Sequence, residues 1–320
     1  MKINPRVRDW LLEADEPSIR YRTLVELLDR SECDPEVVTA KKAIPASEPV
    51  RRILERMHPD GYWLQKNPRT GEWAGKGIEY GAFATTHFCL AYLAELGLDR
   101  THPLVRKAAE RYLNLQKADG DFLRHYSCFY AYNIRTFILL GYRDDARVRR
   151  TIGLMLDTVR PDSGYLCDMH EGKYAKRVVK SCVRGSVKAL MAFAELPEYR
   201  RHARCTALAR YFLKRECLFR MDDRRKPVNF DVTRTICPVT WRAALNDILY
   251  ALSRLGYGKR RETARAWAIL EGKRDADGRY VLDWTPVQAL LKAGKRGEPS
   301  KWVTLYALMA LESRQNNATV

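Results

Sequence analysis

Two short segments carry side chains able to bind a metal. His125-Tyr126-Ser127-Cys128 and Cys167-Asp168-Met169-His170 each place a nitrogen donor and a thiol at i, i+3, and Cys182 follows a little further on. That spacing puts two ligands on one side of a helical turn or a tight loop. Zinc takes nitrogen and sulfur donors in a tetrahedron at about 2.0–2.3 Å, and one pair from each of two neighbouring loops would supply it. The set expected to hold zinc is Cys128, Cys167, His170 and Cys182. A three-ligand version leaves an open position for a Lewis acid or thiol activator. The plain alternative is that these are core residues or, for a thiol, a nucleophile, because free cysteine is among the most buried residue types and the chain has eight cysteines and six histidines. Cys33, Cys89, Cys205, Cys217 and Cys237 read most simply as core, and His58, His102 and His202 as turn or surface residues.

A second group of residues would hold an anion. Lys176, Lys180, Arg184 and Lys188 recur at four-residue steps, so a continuous helix through them carries one basic stripe whose like charges repel unless acids or an anionic head group offset them. Tyr126, Phe129, Tyr130 and Tyr132, with Trp63, Trp73, Trp241 and Trp302, are candidates to line a cavity and stabilise a cation or an apolar chain; aromatic residues at helical spacing are also ordinary core. Tyr126 and Tyr130 are the expected ligand contacts. Further basic runs, 147–150, 200–204, 224–226 and 259–261, fall on the second helix of a pair or the turn before it, where a solvated face is the plain reading. Gln65–Gly77 has the glycine content of a lid, but lacks the Gly-Lys-Ser/Thr ending and preceding strand of a nucleotide loop. Gly-x-Ser-x-Gly, His-Glu-x-x-His and a dinucleotide fingerprint are all missing from the chain.

The elements that must position these groups are helices. Apolar residues recur at three- and four-residue steps almost throughout, for example Ala244, Leu245, Ile248, Leu249, Leu252 and Leu255. Segments pair as 80–97 with 103–117, 129–140 with 144–159, 182–195 with 198–215, and 239–255 with 259–272. Each first helix ends in a corner, as in Leu96-Gly97, Leu140-Gly141, Leu196-Pro197 and Leu255-Gly256, where glycine supplies a left-handed cap. Each second helix ends in another turn, such as Asp60-Gly61-Tyr62, Asp119-Gly120-Asp121-Phe122 or Asp277-Gly278-Arg279-Tyr280. This recurrence marks a repeat architecture. One pair over 17–30 and 48–57, and a last one formed by 300–312 with 6–13, bring the count to about twelve helices, which suits six inner and six outer helices in a closed ring.

The Asp-Gly-aromatic turns, best seen in Gln116-Lys117-Ala118-Asp119-Gly120-Asp121-Phe122, resemble the repeat turns of the squalene/terpenoid cyclase and protein prenyltransferase superfamily. The resemblance covers residues 17–312. It implies an all-α fold, an α/α toroid of about six helical hairpins, whose central cavity holds an isoprenoid. Class II cyclases protonate their substrate with Asp-x-Asp-Asp-Thr. Asp231-Val232-Thr233-Arg234-Thr235 keeps the first Asp and the last Thr, with Thr233 and Arg234 at the two acid positions, so the proton donor is missing. The prenyltransferase zinc site needs Asp-x-Cys, which does not occur here, and His87-Phe88-Cys89-Leu90, which resembles that family's His-bearing inner helix, precedes the other candidate ligands. The chain is thus expected to be a divergent member without the usual catalytic motifs.

Composition agrees with a folded chain and excludes a disordered or fibrous one: 46% of its 320 residues are hydrophobic and 30% charged. The whole chain is expected to form one toroid domain. No apolar run approaches the roughly 20 residues of a membrane span, and the start, Met1-Lys2-Ile3-Asn4-Pro5-Arg6, leads into a charged segment; a cytoplasmic protein with reduced thiols is expected. A net charge of +18 favours an anionic partner. The expected function is binding of an isoprenoid, lipidic or other small ligand in the central cavity, with zinc at the rim; as an enzyme it would be a transferase, lyase or isomerase. The alternative is a non-catalytic helical scaffold whose basic surface binds nucleic acid or a protein.

Overall fold

The computed structural model describes residues 3–67, 70–78, 84–123, 125, 127–166, 180–237, 242–287 and 290–317. Among them are thirteen α-helices, numbered here in chain order: α1 (Pro5–Leu11), α2 (Pro17–Arg22, continued as a π-turn over Thr23–Leu27), α3 (Pro35–Ala43), α4 (Glu48–Leu54), α5 (Thr86–Glu95), α6 (Pro103–Leu113), α7 (Ser127–Leu139), α8 (Ala146–Asp157), α9 (Val183–Ala194), α10 (Ala203–Leu213), α11 (Leu245–Arg254), α12 (Ala264–Glu271) and α13 (Lys301–Asn316). Proline at the first position starts α1, α2, α3 and α6, where its missing N–H leaves nothing unsatisfied. Asn4, Asp34, Asp145 and Ser300 cap their helices through side-chain oxygens.

Burial separates the helices into two shells. Every residue of α5 is buried, as are 185–194 of α9, 245–253 of α11 and 301–310 of α13. These, with α2 and α7, are inner helices. By contrast α6 buries only Val105, Ala108, Ala109, Tyr112 and Leu113, and α8 only Val148, Thr151, Ile152 and Met155, one stripe each. These, with α1, α4, α10 and α12, form the outer shell, and the inner neighbours run α2, α5, α7, α9, α11, α13 and back to α2. The insertion of α3 between the first pair is the helix beyond the expected twelve. A two-residue hairpin pairs β1 (Gln65–Lys66) with β2 (Trp73–Ala74) inside the segment expected as a lid. Among the described residues no helix is long and apolar enough to cross a membrane.

Both kinds of turn form. The Leu-Gly corners use Gly97, Gly141 and Gly256 at φ near +90°. In Asp162-Ser163-Gly164 the left-handed residue is Ser163 at φ +67°, and Gly164 is needed for a different reason: a Cβ there would sit 2.3 Å from the Ser181 side chain.

The ring closes at α13. Lys301 Nζ lies 2.7 Å from Glu13, 3.1 Å from Asp15 and 3.7 Å from Glu16, while Asn4 and Arg6 hold Asp277. Lys301 thus faces three carboxylates. Glu16 is the deepest, its side chain 18% exposed, and burial pushes it up to about 7 despite Lys301. A carboxyl raised in the folded state stabilises below its unfolded value near 4.5 and loses that contribution as pH rises through about 7. Between pH 5 and 8 the melting temperature should therefore fall, by an amount equivalent to about 3 kcal/mol at most; Glu16→Gln should flatten that slope in a thermal scan. An unchanged slope would show that Glu16 ionises without cost.

Candidate functional site

The ring's axis is filled with charge. Towards the C-terminal ends of the inner helices, Glu95 accepts from Arg22 at 3.0 Å, from Arg135 and from the Tyr306 hydroxyl at 2.5 Å. Arg135 also reaches Glu195 at 3.3 Å and donates to Tyr306 at 2.9 Å. Arg22 donates to Glu26 at 2.6 Å, Tyr250 donates to Glu195 at 3.2 Å, and Arg254 donates to Tyr250 at 3.1 Å. Three arginines meet three glutamates, so this layer is neutral and draws on α2, α5, α7, α9, α11 and α13. Burial alone would lower the Arg22 and Arg135 guanidinium groups; their anionic and phenolic neighbours hold both above the usual arginine value.

Two to three turns nearer the N-terminal ends lies a second layer, whose outermost arginines are partly exposed and mark the mouth of the axis. Asn229 caps the 3₁₀ turn Phe230–Thr233 by accepting from the backbone N–H of Asp231 and Val232, which fixes the buried Asp231 carboxylate. Arg242 approaches its Oδ2 to 3.0 Å and Arg184 the same oxygen to 3.3 Å. These arginine side chains are 20% and 32% exposed. The Arg242 guanidinium stands 4.8 Å from the Trp284 ring centroid and 5.8 Å from Phe230, which is 54% exposed. Trp284 is positioned by its neighbour Asp283, which accepts from the Thr235 N–H and from Lys273. Beneath, Lys188 donates to the Arg242 carbonyl at 2.7 Å and pairs with Asp247 at 3.5 Å. Burial lowers the Lys188 ammonium and raises the Asp247 carboxyl, and each partner opposes the other's shift.

The residues expected from sequence fall unevenly onto this picture. Lys176, Cys167, His170, Tyr126 and Trp241 lie outside the described residues. Lys180 is exposed and precedes Cys182, the N-cap of α9, so the four-residue step is broken there. Arg184 and Lys188 share one face of α9 and turn to the axis, each with an acid from another element. Tyr130 is buried with its hydroxyl at Thr158 on the outer shell, away from any central chamber. Trp63 is likewise structural, its indole donating to the Ile53 carbonyl, while Trp73 is 68% exposed on the hairpin. Cys128 is buried in the first turn of α7, its sulfur 3.6 Å from where a Cβ on Gly185 would stand, and Cys182 is half-buried. Among the described residues no three His, Cys, Asp or Glu side chains converge as a metal site.

Two smaller expectations change. Cys33 is exposed, whereas Cys89, Cys205, Cys217 and Cys237 are buried as expected. Arg204, in a run expected to face water, is buried and donates to the carbonyls of Thr158, Ser163 and Gly164, so it caps that turn from the outer shell. His87, which resembles the family's inner-helix histidine only in position, is buried among Phe88, Phe129 and Tyr132 with Nδ1 2.9 Å from the Asn133 carboxamide. The sequence reasoning missed Arg242, Phe230 and Trp284, which lie in the segments before α11 and α13, and Asp247 in the first turn of α11.

Helices in two concentric shells and a ring closed by the first and last described elements define the architecture. The fold is an α/α toroid. No known family and no curated protein matches the sequence. Among solved structures the chain is similar to a polysaccharide lyase, with 13% identity and a TM-score of 0.52 over 95% of this chain and 89% of that one. It is also similar to the type II terpene cyclase MstE from Scytonema, with 14% identity and a TM-score of 0.35 over 84% and 96%. The lyase likeness supports the toroid class.

Proposed function

We propose that the protein binds a carboxylated polar ligand of the acidic-saccharide class at the mouth of the toroid axis. The observation that carries this reading is the pair Arg184 and Arg242, half-buried, drawn together on one buried carboxylate and flanked by Phe230 and Trp284. Guanidinium groups pair with carboxylates in a planar fork, and an aromatic face beside them suits the apolar face of a sugar ring. An isoprenoid chain fits this axis less well, because the space between the inner helices is taken up by ion pairs and phenolic hydroxyls. The polysaccharide lyase sharing the fold acts on a related class of molecule by its name; that likeness prompts the choice of probe and does not carry the assignment.

The test is calorimetric titration with a galacturonic acid trisaccharide against the neutral maltotriose. The acidic sugar should bind and the neutral one should not. Arg242→Ala should weaken binding about 10- to 100-fold, the range expected for losing a charge-assisted contact. Equal binding of both sugars, or an unaffected Arg242→Ala variant, would overturn the reading, and an extractable lipid in the purified protein would restore the isoprenoid one. Zinc at Cys128, Cys167, His170 and Cys182 remains a separate proposal: elemental analysis should find about one zinc per chain, lost in Cys167→Ser.

A further inference from the structure

On the outer wall, a groove of about 540 Å³ lies between α10 and α12. Arg210 on α10 and Lys214 at its C-cap, one turn apart, line it together with Arg224 from the following loop and Arg260 and Arg261 from the turn before α12. The fold thus brings two separate basic runs of the sequence onto one concave surface. Among the described lining residues only Glu216 and Glu262 oppose them. Glu216 is engaged by Arg265 at 2.8 Å and Arg224 at 4.0 Å, and Glu262 by Arg260 at 3.8 Å. Arg210, Lys214 and Arg261 make no ion pair among the described residues, so five cationic groups against two carboxylates leave an excess of three.

The groove is also built rather than merely crowded. Arg224 donates to the carbonyls of Lys214 and Arg220, and Arg265 donates to the carbonyl of Arg224, so the loop and both helices are bolted together. The turn that delivers Glu216 to these arginines is strained, with Glu216 at φ +44° and Cys217 at φ +67°. A non-glycine pair in the left-handed region persists only where its surroundings hold it. Among the described lining residues the one apolar side chain, Leu213, is buried, and none presents a ring on which a base or sugar could stack.

We propose that this groove binds a compact, multiply charged phosphorylated ligand, recognised by several guanidinium groups acting on closely spaced phosphoryl oxygens. The excess of three positive charges matches a small oligophosphate. A nucleic-acid strand would call for a longer basic track or stacking platforms.

Inorganic tripolyphosphate is the probe, titrated calorimetrically into the whole protein at low salt. Wild type should bind it, and the double variant Lys214→Ala with Arg261→Ala should bind about 10- to 100-fold more weakly. Both residues are exposed, so the double variant should melt with wild type. Arg149→Ala, an exposed position on α8 paired with Asp144, should bind as wild type does. Absence of binding, or equal weakening by Arg149→Ala, would overturn the proposal, the second outcome reducing it to diffuse surface charge. Weakening by Arg242→Ala alone would overturn it in favour of the axial mouth. Binding of a single-stranded oligonucleotide without tripolyphosphate binding would overturn it in favour of nucleic acid.

Discussion

Glu95→Gln is expected to lower the free energy of unfolding by about 3–5 kcal/mol, the cost of stripping the charge from one member of a buried ion network. Glu95 accepts from Arg22, Arg135 and Tyr306, which come from α2, α7 and α13. Its carboxylate therefore joins four of the six inner helices, counting its own. Neutralising it leaves the two guanidinium groups facing each other across the axis with one counterion fewer, and burial makes that charge expensive. Arg135→Met should be costly for the mirrored reason, since it takes one buried cationic partner from both Glu95 and Glu195. The double variant should cost at least about 1 kcal/mol less than the two singles added, as expected for contacting partners. Urea unfolding of the four proteins checks this. A Glu95→Gln variant within about 0.5 kcal/mol of wild type would mean that the axis is held by packing alone.

The second large effect concerns acid. His87 is buried at the start of α5, and desolvation drives its imidazole down to about 3, only partly opposed by the hydrogen bond with Asn133. A histidine depressed in the folded state stabilises above its unfolded value near 6.5 and loses that contribution as pH falls towards about 3. Over that interval the loss approaches about 5 kcal/mol. His87→Gln keeps a group able to meet Asn133 without a proton to gain, so its melting temperature should fall less steeply than that of wild type between pH 6.5 and 4. Parallel slopes would show that His87 protonates in place without opening the structure. The sign is opposite to that of Glu16, whose contribution fades as pH rises.

Much of the architecture was legible because helices announce themselves locally. Three- and four-residue apolar spacing, proline at first positions and Leu-Gly corners are features of a few neighbouring residues, and the inner and outer shells follow from whether the apolar face is a stripe or the whole surface. The insertion of α3 was missed because its apolar stripe, Val37, Ala40 and Ile44, is only three residues long. The axial ions were harder to see, since a charge in an apolar run reads as an interruption. A signal was nonetheless present. Glu95-Leu96-Gly97, Glu195-Leu196-Pro197 and Arg254-Leu255-Gly256 place a charge at the same step before each corner, and Arg135 stands one helical turn earlier on the equivalent face of α7.

The mouth was less legible still. Asp231 drew notice through an incomplete motif, yet its partners Arg184 and Arg242 stand 47 and 11 residues away. The stripe drawn through Lys176, Lys180, Arg184 and Lys188 assumed one continuous helix, whereas α9 begins at Val183. Spacing within one helix can show which residues share a face; it is silent about what a neighbouring helix sets against them.

Ring closure has a consequence for how the protein is made. Arg22 and Tyr306 are separated by 284 residues and meet only when α13 arrives. At roughly 5–20 residues per second of synthesis, the first helices wait about 15–60 s for their last partner. During that interval Arg22, Glu95 and Arg135 belong to an open arc with one flank uncovered, its charges hydrated and its apolar inner face exposed. The arriving helix acts as a keystone: its insertion expels that water and converts an arc of local hairpins into a structure whose first and last parts depend on each other.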